Sequence, residues 1–96
     1  DLNSNGIETL VYSENSKNSV RIGKSIQSEM IKTSGLRDRG IKYRSDLAIL
    51  KRTTMDAVLL EIGFITNKKE NELLRNDGWL DKIVDAITIG IEKEVK

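Results

Sequence analysis

The chain has 96 residues, of which 38% are hydrophobic and 32% are charged, and its 16 basic and 15 acidic residues leave a net charge of +1. These values are typical of one small globular domain, and they argue against a general nucleic-acid-binding protein and against a membrane span, which needs about 18 consecutive apolar residues. Because the sequence contains no cysteine and no histidine, it excludes a disulfide framework, a thiolate or histidine metal site and a Ser-His-Asp triad within this chain.

The first third of the chain predicts a strand followed by a long helix. Residues 7–12 are rich in β-branched and aromatic residues, which is typical of a strand. A helix is expected from residue 16 or 19 to residue 33, because apolar residues recur there at every fourth position and share one helical face. They are Ile22, Ile26 and Met30. Gly35 is placed to end this helix in a left-handed conformation.

The middle of the chain predicts a charged connector and two further strands. Residues 36–46 are the connector, and residues 47–50 form a short strand. Residues 57–62 are expected to form a fully buried strand, because their apolar run is continuous rather than alternating. A strand this apolar needs neighbours on both sides, so the predicted sheet lacks members.

The last third of the chain predicts two helices. Asn67, followed three residues later by Glu70, resembles a capping box that opens a short helix to about residue 75. The final helix begins near residue 77, and Trp79 is expected to anchor it by packing rather than to stack on carbohydrate. Its apolar stripe is predicted to face the core: Leu80, Ile83, Val84, Ile87, Ile91 and Val95. The whole order predicts an α/β fold with about three strands and three helices.

A carboxylate at the end of a buried strand is costly unless it is paired, protonated or directed at a functional site. Glu61 follows the apolar residues 57–60 near the end of this expected strand, and Ile62, Gly63-Phe64 and a polar turn come after it. Glu61 is therefore a candidate for acid or base chemistry. The alternative is a structural role, in which Glu61 caps a helix or forms a surface ion pair.

Three further features are candidate parts of a site, each with a structural alternative. Glu8 and Thr9 lie on opposite faces of their strand, so one of them could point into a cleft, although an edge strand with a polar outer face is the better explanation from local sequence. Phe64 could form one wall of a ligand-binding site, or belong only to the turn that follows the strand. The connector and its following turn are strongly basic and could bind carboxylates of an anionic polymer, or form a solvated loop. The charged residues are Arg37, Arg39, Lys42, Arg44, Lys51 and Arg52, against Asp38 and Asp46.

Five segments of the chain together resemble a known family. They are Gly6-Ile7-Glu8-Thr9, a helix that contains Ile26-Gln27, Arg37-Asp38-Arg39-Gly40, Leu47-Ala48-Ile49-Leu50, and Leu60-Glu61-Ile62-Gly63-Phe64-Ile65-Thr66-Asn67. In this order they resemble the C-terminal part of the zinc-dependent N-acetylmuramoyl-L-alanine amidases, the cell-wall hydrolases of bacteria and their phages. The resemblance covers residues 5–95. Its most specific element is the signature Glu-x-Gly-Phe-x-(Ser/Thr)-Asn, whereas Asp56 departs from the family, which often has proline there.

The resemblance implies the C-terminal part of a mixed-sheet sandwich with helices on both faces, with residues 1–96 as a partial catalytic domain. It implies that Glu61 is the general base, which takes a proton from the attacking water and passes it to the leaving amine. Substrate binding is assigned to residues of the motifs and their surroundings: Glu8, Thr9, Arg37, Arg39 and Phe64. In this family two histidines and a glutamate hold the zinc ion. We expect these ligands N-terminal to Asp1, and none of them in this chain.

The resemblance also implies a partner and a location. The substrate would be peptidoglycan at the cell wall outside the cell, with neither nucleic acid nor a membrane as partner. No signal peptide is visible, and because the chain begins at Asp1 rather than Met, we expect its native beginning to be missing or processed. An incomplete sheet predicts self-association, or complementation by the missing portion. Because the resemblance places all zinc ligands outside this chain, we also expect the chain to be inactive alone.

Two alternatives belong to other functional classes. The first is a non-catalytic module derived from the amidase fold, which binds peptidoglycan stem peptides through Arg37 and Arg39 while Glu61 has no catalytic role. The second is a structural interaction domain whose basic connector contacts a partner protein. Zinc-dependent turnover distinguishes the enzyme from the binding module.

Overall fold

The computed structural model describes residues 3–95 and shows a mixed α/β fold, as the sequence predicts. Within these residues the order of elements is strand, helix, strand, helix, strand, helix, helix. The strands are β1 (Ile7–Val11), β2 (Asp38–Tyr43) and β3 (Leu59–Glu61). The helices are α1 (Lys17–Ser34), α2 (Ala48–Lys51), α3 (Lys68–Leu74) and α4 (Asp77–Glu94), one more than the expected three.

The sheet has the strand order β2-β1-β3, so the first strand of the chain lies at its centre. β1 runs parallel to β2, to which α1 connects it, and antiparallel to β3. All five residues of β1 are buried, whereas Leu59 and Leu60 of β3 are half-buried and Glu61 is exposed. The expectation of a fully buried strand at residues 57–62 is therefore wrong for the described residues, because β3 has a neighbour on one side only.

Two expectations for the middle of the chain are wrong. Residues 36–46 are not a connector, since they contain β2. Their charges conceal the strand because β2 lies at a sheet edge, where side chains can reach solvent while the backbone pairs with β1. Residues 47–50 are not a strand, since α2 begins at Ala48 and buries only Leu50. Four residues are too few for their periodicity to separate a strand from one helical turn.

The long helix α1 follows its expected position and face. Ile26 and Met30 are buried in the core, and Ile22 packs partly buried against it. Gly35 ends the helix with φ +72°, in the left-handed conformation that the sequence predicts. Gly23 allows β1 to approach closely, because a Cβ atom at Gly23 would lie 3.2 Å from Cγ2 of Thr9.

The buried face of α4 differs from the expected stripe. Its buried residues are Trp79, Ile83, Ala86 and Gly90. Three members of the expected stripe are exposed: Val84, Ile91 and Val95. The face of α4 that meets α1 is determined by its small residues. A Cβ atom at Gly90 would lie only 2.6 Å from Cα of Ile26, so the helices can approach this closely only where α4 has a glycine.

Trp79 anchors α4 by packing, as expected. It belongs to the main buried cluster, and its indole N–H donates a hydrogen bond of 3.1 Å to the backbone carbonyl of Ser34. A buried indole that satisfies its one donor in this way joins the start of α4 to the end of α1. None of the helices in residues 3–95 combines the length and the apolar character that crossing a lipid bilayer requires.

Candidate active site

Two glutamates that lie side by side on adjacent strands form the centre of the candidate site. Glu8 of β1 and Glu61 of β3 are Cα partners in the antiparallel register. Directly opposed residues project from the same face, with Cβ atoms about 5 Å apart. Glu8 is 8% exposed, whereas Glu61 is an exposed residue. The structure thus pairs a buried carboxyl group with one that solvent or a ligand can reach.

The two carboxyl groups differ in pKa because their surroundings differ. Partial burial, together with a hydrogen bond and the negative charge of Glu8, raises the pKa of Glu61 above its ordinary value. Burial also acts to raise the pKa of Glu8, but hydrogen bonds with Arg39 and Glu61 and the charge of Arg39 outweigh it, so the pKa of Glu8 is lowered. Glu8 therefore stays ionised while Glu61 is the member of the pair that can hold a proton.

Arg39 joins the two sides of the site. Its Nε donates a hydrogen bond of 2.7 Å to Oε1 of Glu8, and its terminal nitrogen donates one of 3.2 Å to the backbone carbonyl of Asn5. Its guanidinium carbon also lies 5.0 Å from the ring centroid of Phe64, in the range of a cation–π contact. Both ends of this ion pair are largely buried, since the side chains of Arg39 and Glu8 are 26% and 10% exposed.

A bulge in β2 places Arg39 beside Glu8. The register between β1 and β2 shifts after the pair Ile7 and Asp38, so that β2 has one extra residue there. Gly40 lies in this bulge with φ +75°, a backbone conformation that glycine adopts without strain. The Asp38 carboxylate supports the turn by accepting a hydrogen bond of 2.8 Å from the Gly40 N–H. The segment Arg37-Asp38-Arg39-Gly40 is thus a bulge that directs one arginine into the site.

Glu70 of α3 is a site residue that sequence reasoning treated only as part of a capping box. The box is half right: Asn67 Oδ1 accepts a hydrogen bond of 3.1 Å from the Glu70 N–H. The Glu70 side chain does not return the bond. Its two oxygens instead accept hydrogen bonds from the N–H groups of Gly6 (2.8 Å) and Phe64 (2.9 Å), in the segments before β1 and after β3. Its 3% exposure and these two hydrogen bonds distinguish Glu70 from an ordinary cap, and a sequence displays neither.

Two expected substrate-binding residues lie away from this group. Thr9 points to the opposite face of the sheet from Glu8, where its hydroxyl donates a hydrogen bond of 2.9 Å to Oε1 of Gln27 on α1. Arg37 is exposed immediately before β2, and its backbone carbonyl accepts a hydrogen bond of 2.9 Å from the Ile7 N–H. The structure therefore brings together Glu8, Arg39, Glu61 and Phe64, and leaves Thr9 and Arg37 outside.

The rest of the basic segment is paired locally. Arg44 donates two hydrogen bonds of 2.9 Å to the carboxylate of Asp46, whose pKa is lowered to about 2 by these bonds and by a backbone hydrogen bond. Lys42 donates a hydrogen bond of 2.7 Å to the backbone carbonyl of Arg39. The positive charges of Arg44 and Lys42 also act on Glu61 and Glu8, respectively, where each favours the ionised form.

The residues of the chain do not fit a zinc ion. The sequence has neither histidine nor cysteine. Residues 3–95 contain no group of three or more acidic side chains close enough to hold a metal ion. A pair of carboxyl groups with an arginine bonded to one of them lacks the nitrogen and sulfur donors that zinc sites commonly use.

A family profile described as N-acetylmuramoyl-L-alanine amidase matches residues 1–93. The chain belongs to this family. Among its curated relatives, an uncharacterized protein of Bacillus subtilis, YqiI, is 38% identical over 88 residues, which are 91% of this chain and 42% of that protein. The endolysin of Bacillus phage SPP1 is 44% identical over 61 residues, covering 64% of this chain and 22% of that protein.

Solved amidase structures share the fold of this chain. The CwlD amidase of Clostridioides difficile, solved in complex with the GerS lipoprotein, superposes with a TM-score of 0.89 at 34% identity, covering 98% of this chain and 48% of that one. The catalytic domain of the amidase CwlV from Bacillus (Paenibacillus) polymyxa gives a TM-score of 0.85 at 31% identity, with coverages of 97% and 50%. The chain thus corresponds to about half the length of these solved chains.

Proposed function

We propose that this chain supplies the proton-handling residue of an N-acetylmuramoyl-L-alanine amidase, which hydrolyses the amide between N-acetylmuramic acid and L-alanine in peptidoglycan. The observation that carries the proposal is the opposed pair Glu8 and Glu61, in which the accessible member has the raised pKa. A general base works best when its pKa approaches the working pH, and a neighbouring carboxylate raises the pKa in that direction.

Glu61 acts on both halves of the hydrolysis in this proposal. Its carboxylate accepts a proton from water as the water oxygen bonds to the amide carbonyl carbon. The protonated Glu61 then gives this proton to the amide nitrogen as the carbon–nitrogen bond breaks, so that the products are a carboxylic acid and the free amine of L-alanine. Glu8 remains ionised through its bond with Arg39 and favours the protonated form of Glu61 between the two steps.

The metal-binding part of the proposed enzyme lies outside these residues. The family resemblance implies zinc, and a bound zinc ion would polarise the carbonyl group and activate the water. The donor groups of this chain do not fit that ion, because it contains neither histidine nor cysteine. We therefore propose that residues 1–96 are part of a catalytic domain, that the zinc ligands are supplied by further polypeptide, and that this chain alone has no amidase activity.

Further polypeptide would also cover apolar surface that this chain leaves open. β3 has one neighbouring strand among residues 3–95. Beside it lies an open groove of about 210 Å³, lined mainly by apolar side chains. The lining residues are Ser19, Ile22, Ile26, Asp56, Ala57, Val58 and Ile91. We propose that the remainder of the amidase fold occupies this groove and the β3 edge, and that a chain without it self-associates there.

The substrate contacts follow from the same geometry. Phe64 presents one ring face to Arg39 and is half-buried, so we propose that it contacts substrate bound next to Glu61. Arg39 is occupied by Glu8 and the Asn5 carbonyl, so it orders the site, whereas the exposed Arg37 is the arginine available to a stem-peptide carboxylate. Thr9 contributes from the opposite face by fixing β1 against α1. The proposed place of action is the cell wall, outside the cell.

A chimeric enzyme tests the proposal. This chain replaces the matching half of the Clostridioides difficile CwlD amidase, of which it covers 48% at 34% identity. We expect the chimera to release L-alanine amino groups from peptidoglycan and to lose this activity when Glu61 is replaced by Gln. If the chimera binds peptidoglycan and holds zinc but never cleaves, the chain is a binding module rather than part of an enzyme.

A further inference from the structure

The two strands that carry the glutamate pair part immediately beyond it. Glu8 and Glu61 are the last Cα partners of the antiparallel register at this end of the sheet. Extending the register by two residues would place Gly6 opposite Gly63, but both glycines have positive φ angles, of +105° and +134°, so the two chains turn apart there. The sheet ladder alone therefore leaves the glutamate pair at an open end.

Glu70 bridges this open end. Its Oε2 accepts a hydrogen bond of 2.8 Å from the Gly6 N–H, and its Oε1 accepts one of 2.9 Å from the Phe64 N–H. One side chain thus links the backbone two residues before Glu8 to the backbone three residues after Glu61. It takes the place of the ladder hydrogen bonds that the diverging strands no longer make.

We propose that Glu70 is a positioning residue of the amidase site: its carboxyl group holds the segments before β1 and after β3 together, and so keeps Glu8, Glu61 and Phe64 in their working arrangement. The inference rests on the proposed function of Glu61, since it is that residue's geometry which Glu70 sets. Glu70 itself does not contact the reacting atoms.

The surroundings of Glu70 show that this bridge is specific. The residue is 3% exposed, and a buried carboxyl group is costly unless its oxygens accept hydrogen bonds. Both oxygens do so, each from a different segment. Asn67 reinforces the bridge, because its Oδ1 accepts from the Glu70 N–H while its Nδ2 donates a hydrogen bond of 3.3 Å to the Ser4 carbonyl. The start of α3 is therefore hydrogen-bonded to the segment before β1 at two residues, Ser4 and Gly6.

The signature that ends in Asn67 acquires a physical meaning from this bridge. Asn67 caps α3 by accepting a hydrogen bond from the Glu70 N–H, and this bond places Glu70 in the first turn of the helix. Gly63 turns the chain with φ +134°, which brings the Phe64 N–H to the carboxyl group. The glycine, the phenylalanine and the asparagine thus cooperate to dock α3 against the two segments that flank the glutamate pair.

Replacement of Glu70 by Asp tests the bridge without changing charge. Aspartate is one methylene shorter, so its carboxyl group cannot reach both N–H groups at hydrogen-bonding distance. The experiment follows the side-chain carboxyl carbon of Glu61 by NMR across pH in the 96-residue chain, together with the amide protons of Gly6 and Phe64. Glu70→Gln keeps the length of the side chain but removes its charge. Glu72→Gln is the matched control, because Glu72 is exposed on the same helix.

In Glu70→Asp we expect the pKa of Glu61 to fall towards its ordinary value, because Glu8 and Glu61 move apart. The amide signals of Gly6 and Phe64 should move upfield, and Glu72→Gln should change neither. An unchanged Glu61 titration in a folded Glu70→Asp variant would overturn the inference. So would a change confined to Glu70→Gln, because the lost charge would then be its cause.

A measurement on the unsubstituted chain covers the case in which the variants do not fold. Scalar coupling across hydrogen bonds should link the Gly6 and Phe64 amide nitrogens to the Glu70 carboxyl carbon, and its absence at both positions would overturn the bridge. None of these readouts needs catalysis. A failed amidase assay therefore leaves this result intact, whereas an active chimera in which Glu70→Asp keeps normal kcat and KM would refute positioning even if the bridge exists.

Discussion

Glu8 and Glu61 are directly opposed on adjacent antiparallel strands, and a single arginine, Arg39, forms an ion pair with only one of them. Two like charges placed opposite each other destabilise a sheet unless a cation or a proton intervenes. Here Arg39 stabilises the ionised form of Glu8, and Glu61, which lacks this ion pair, is the residue whose pKa is raised. This asymmetry gives a pair of chemically identical side chains two different roles, and it is the physical basis of the proposed catalysis.

The raised pKa of Glu61 determines how stability should depend on pH. The folded chain holds the Glu61 proton more tightly than the unfolded chain does, so it loses stability as the pH rises from the ordinary value near 4.5 through the raised pKa. Glu61→Gln cannot ionise and escapes this loss. We therefore expect the variant to gain stability relative to the wild type as the pH rises above the ordinary carboxyl value near 4.5, as measured by urea unfolding. Glu72→Gln should show no such gain, and a gain that shrinks with rising pH would contradict the assignment.

Arg39→Gln should destabilise the fold and raise the pKa of Glu8. The substitution leaves a carboxylate that is 8% exposed without its cationic partner, at a cost of about 1–3 kcal/mol at neutral pH. Because the Arg39 bond lowers the pKa of Glu8, its stabilisation is present above the ordinary carboxyl pKa and is lost as the pH falls through the lowered one.

Unfolding at several pH values checks this expectation for Arg39. The difference between wild type and Arg39→Gln should shrink as the pH falls, first through the raised pKa of Glu8 in the variant and then through its lowered pKa in the wild type. Arg37→Ala is the control, since Arg37 is an exposed arginine two positions away, and a surface substitution of this kind changes stability by about 0.5 kcal/mol or less. Equal effects of the two substitutions would show that the ion pair does not stabilise the site.

Glu61→Gln should reduce turnover of the chimeric amidase far more than it reduces substrate binding. Removing a general base costs about 10²- to 10⁴-fold in rate, whereas the amide is nearly isosteric and keeps the shape of the cleft. We expect kcat to fall by this amount, KM to change little and zinc content to stay the same. The assay measures amino groups released from peptidoglycan, with Glu72→Gln as the control. Near-normal turnover would show that another group handles the proton.

The sequence revealed some parts of this site and concealed others for identifiable reasons. Glu61 was singled out as a candidate because an ionisable group next to an apolar run is unusual, and this is visible in the residue order. β2 was missed because an edge strand with charged side chains has no hydrophobic alternation. Glu70 was recognised only as part of a cap, since its two partners, Gly6 and Phe64, depend on the tertiary fold. The same limit applies to α4, whose orientation depends on contact with α1.

Gly6 should tolerate alanine less well than another glycine with a positive φ. At Gly6, with φ +105°, a Cβ atom would lie 2.6 Å from the Arg37 carbonyl oxygen and 2.9 Å from Cγ of Arg39. At Gly35, with φ +72°, a Cβ atom would meet nothing within 4 Å. Both substitutions should lower the free energy of unfolding by about 1–2 kcal/mol, because alanine is strained at a positive φ. Only Gly6→Ala should lose a further 1–3 kcal/mol, roughly, through the steric clash.

Thermal unfolding of the two alanine variants separates strain from clash. We expect Gly6→Ala to have the lower Tm and also to shift the Glu61 titration, because the clash displaces the segment that Glu70 and Arg39 hold. Gly35→Ala should leave the Glu61 titration unchanged. If both variants lost the same stability, the close approach at Gly6 would have no energetic consequence.

The apolar groove beside β3 should control association of the chain. Ile91 lines this groove and is 40% exposed, whereas Ile89 on the same helix is 45% exposed and does not line it. Ile91→Lys places a charge where the rest of the fold, or a second copy, would bury an apolar side chain. We expect it to weaken self-association about tenfold, equivalent to ~1.4 kcal/mol, in sedimentation at a series of concentrations. Ile89→Lys should sediment like the wild type, and equal effects of both lysines would locate the contact elsewhere on α4.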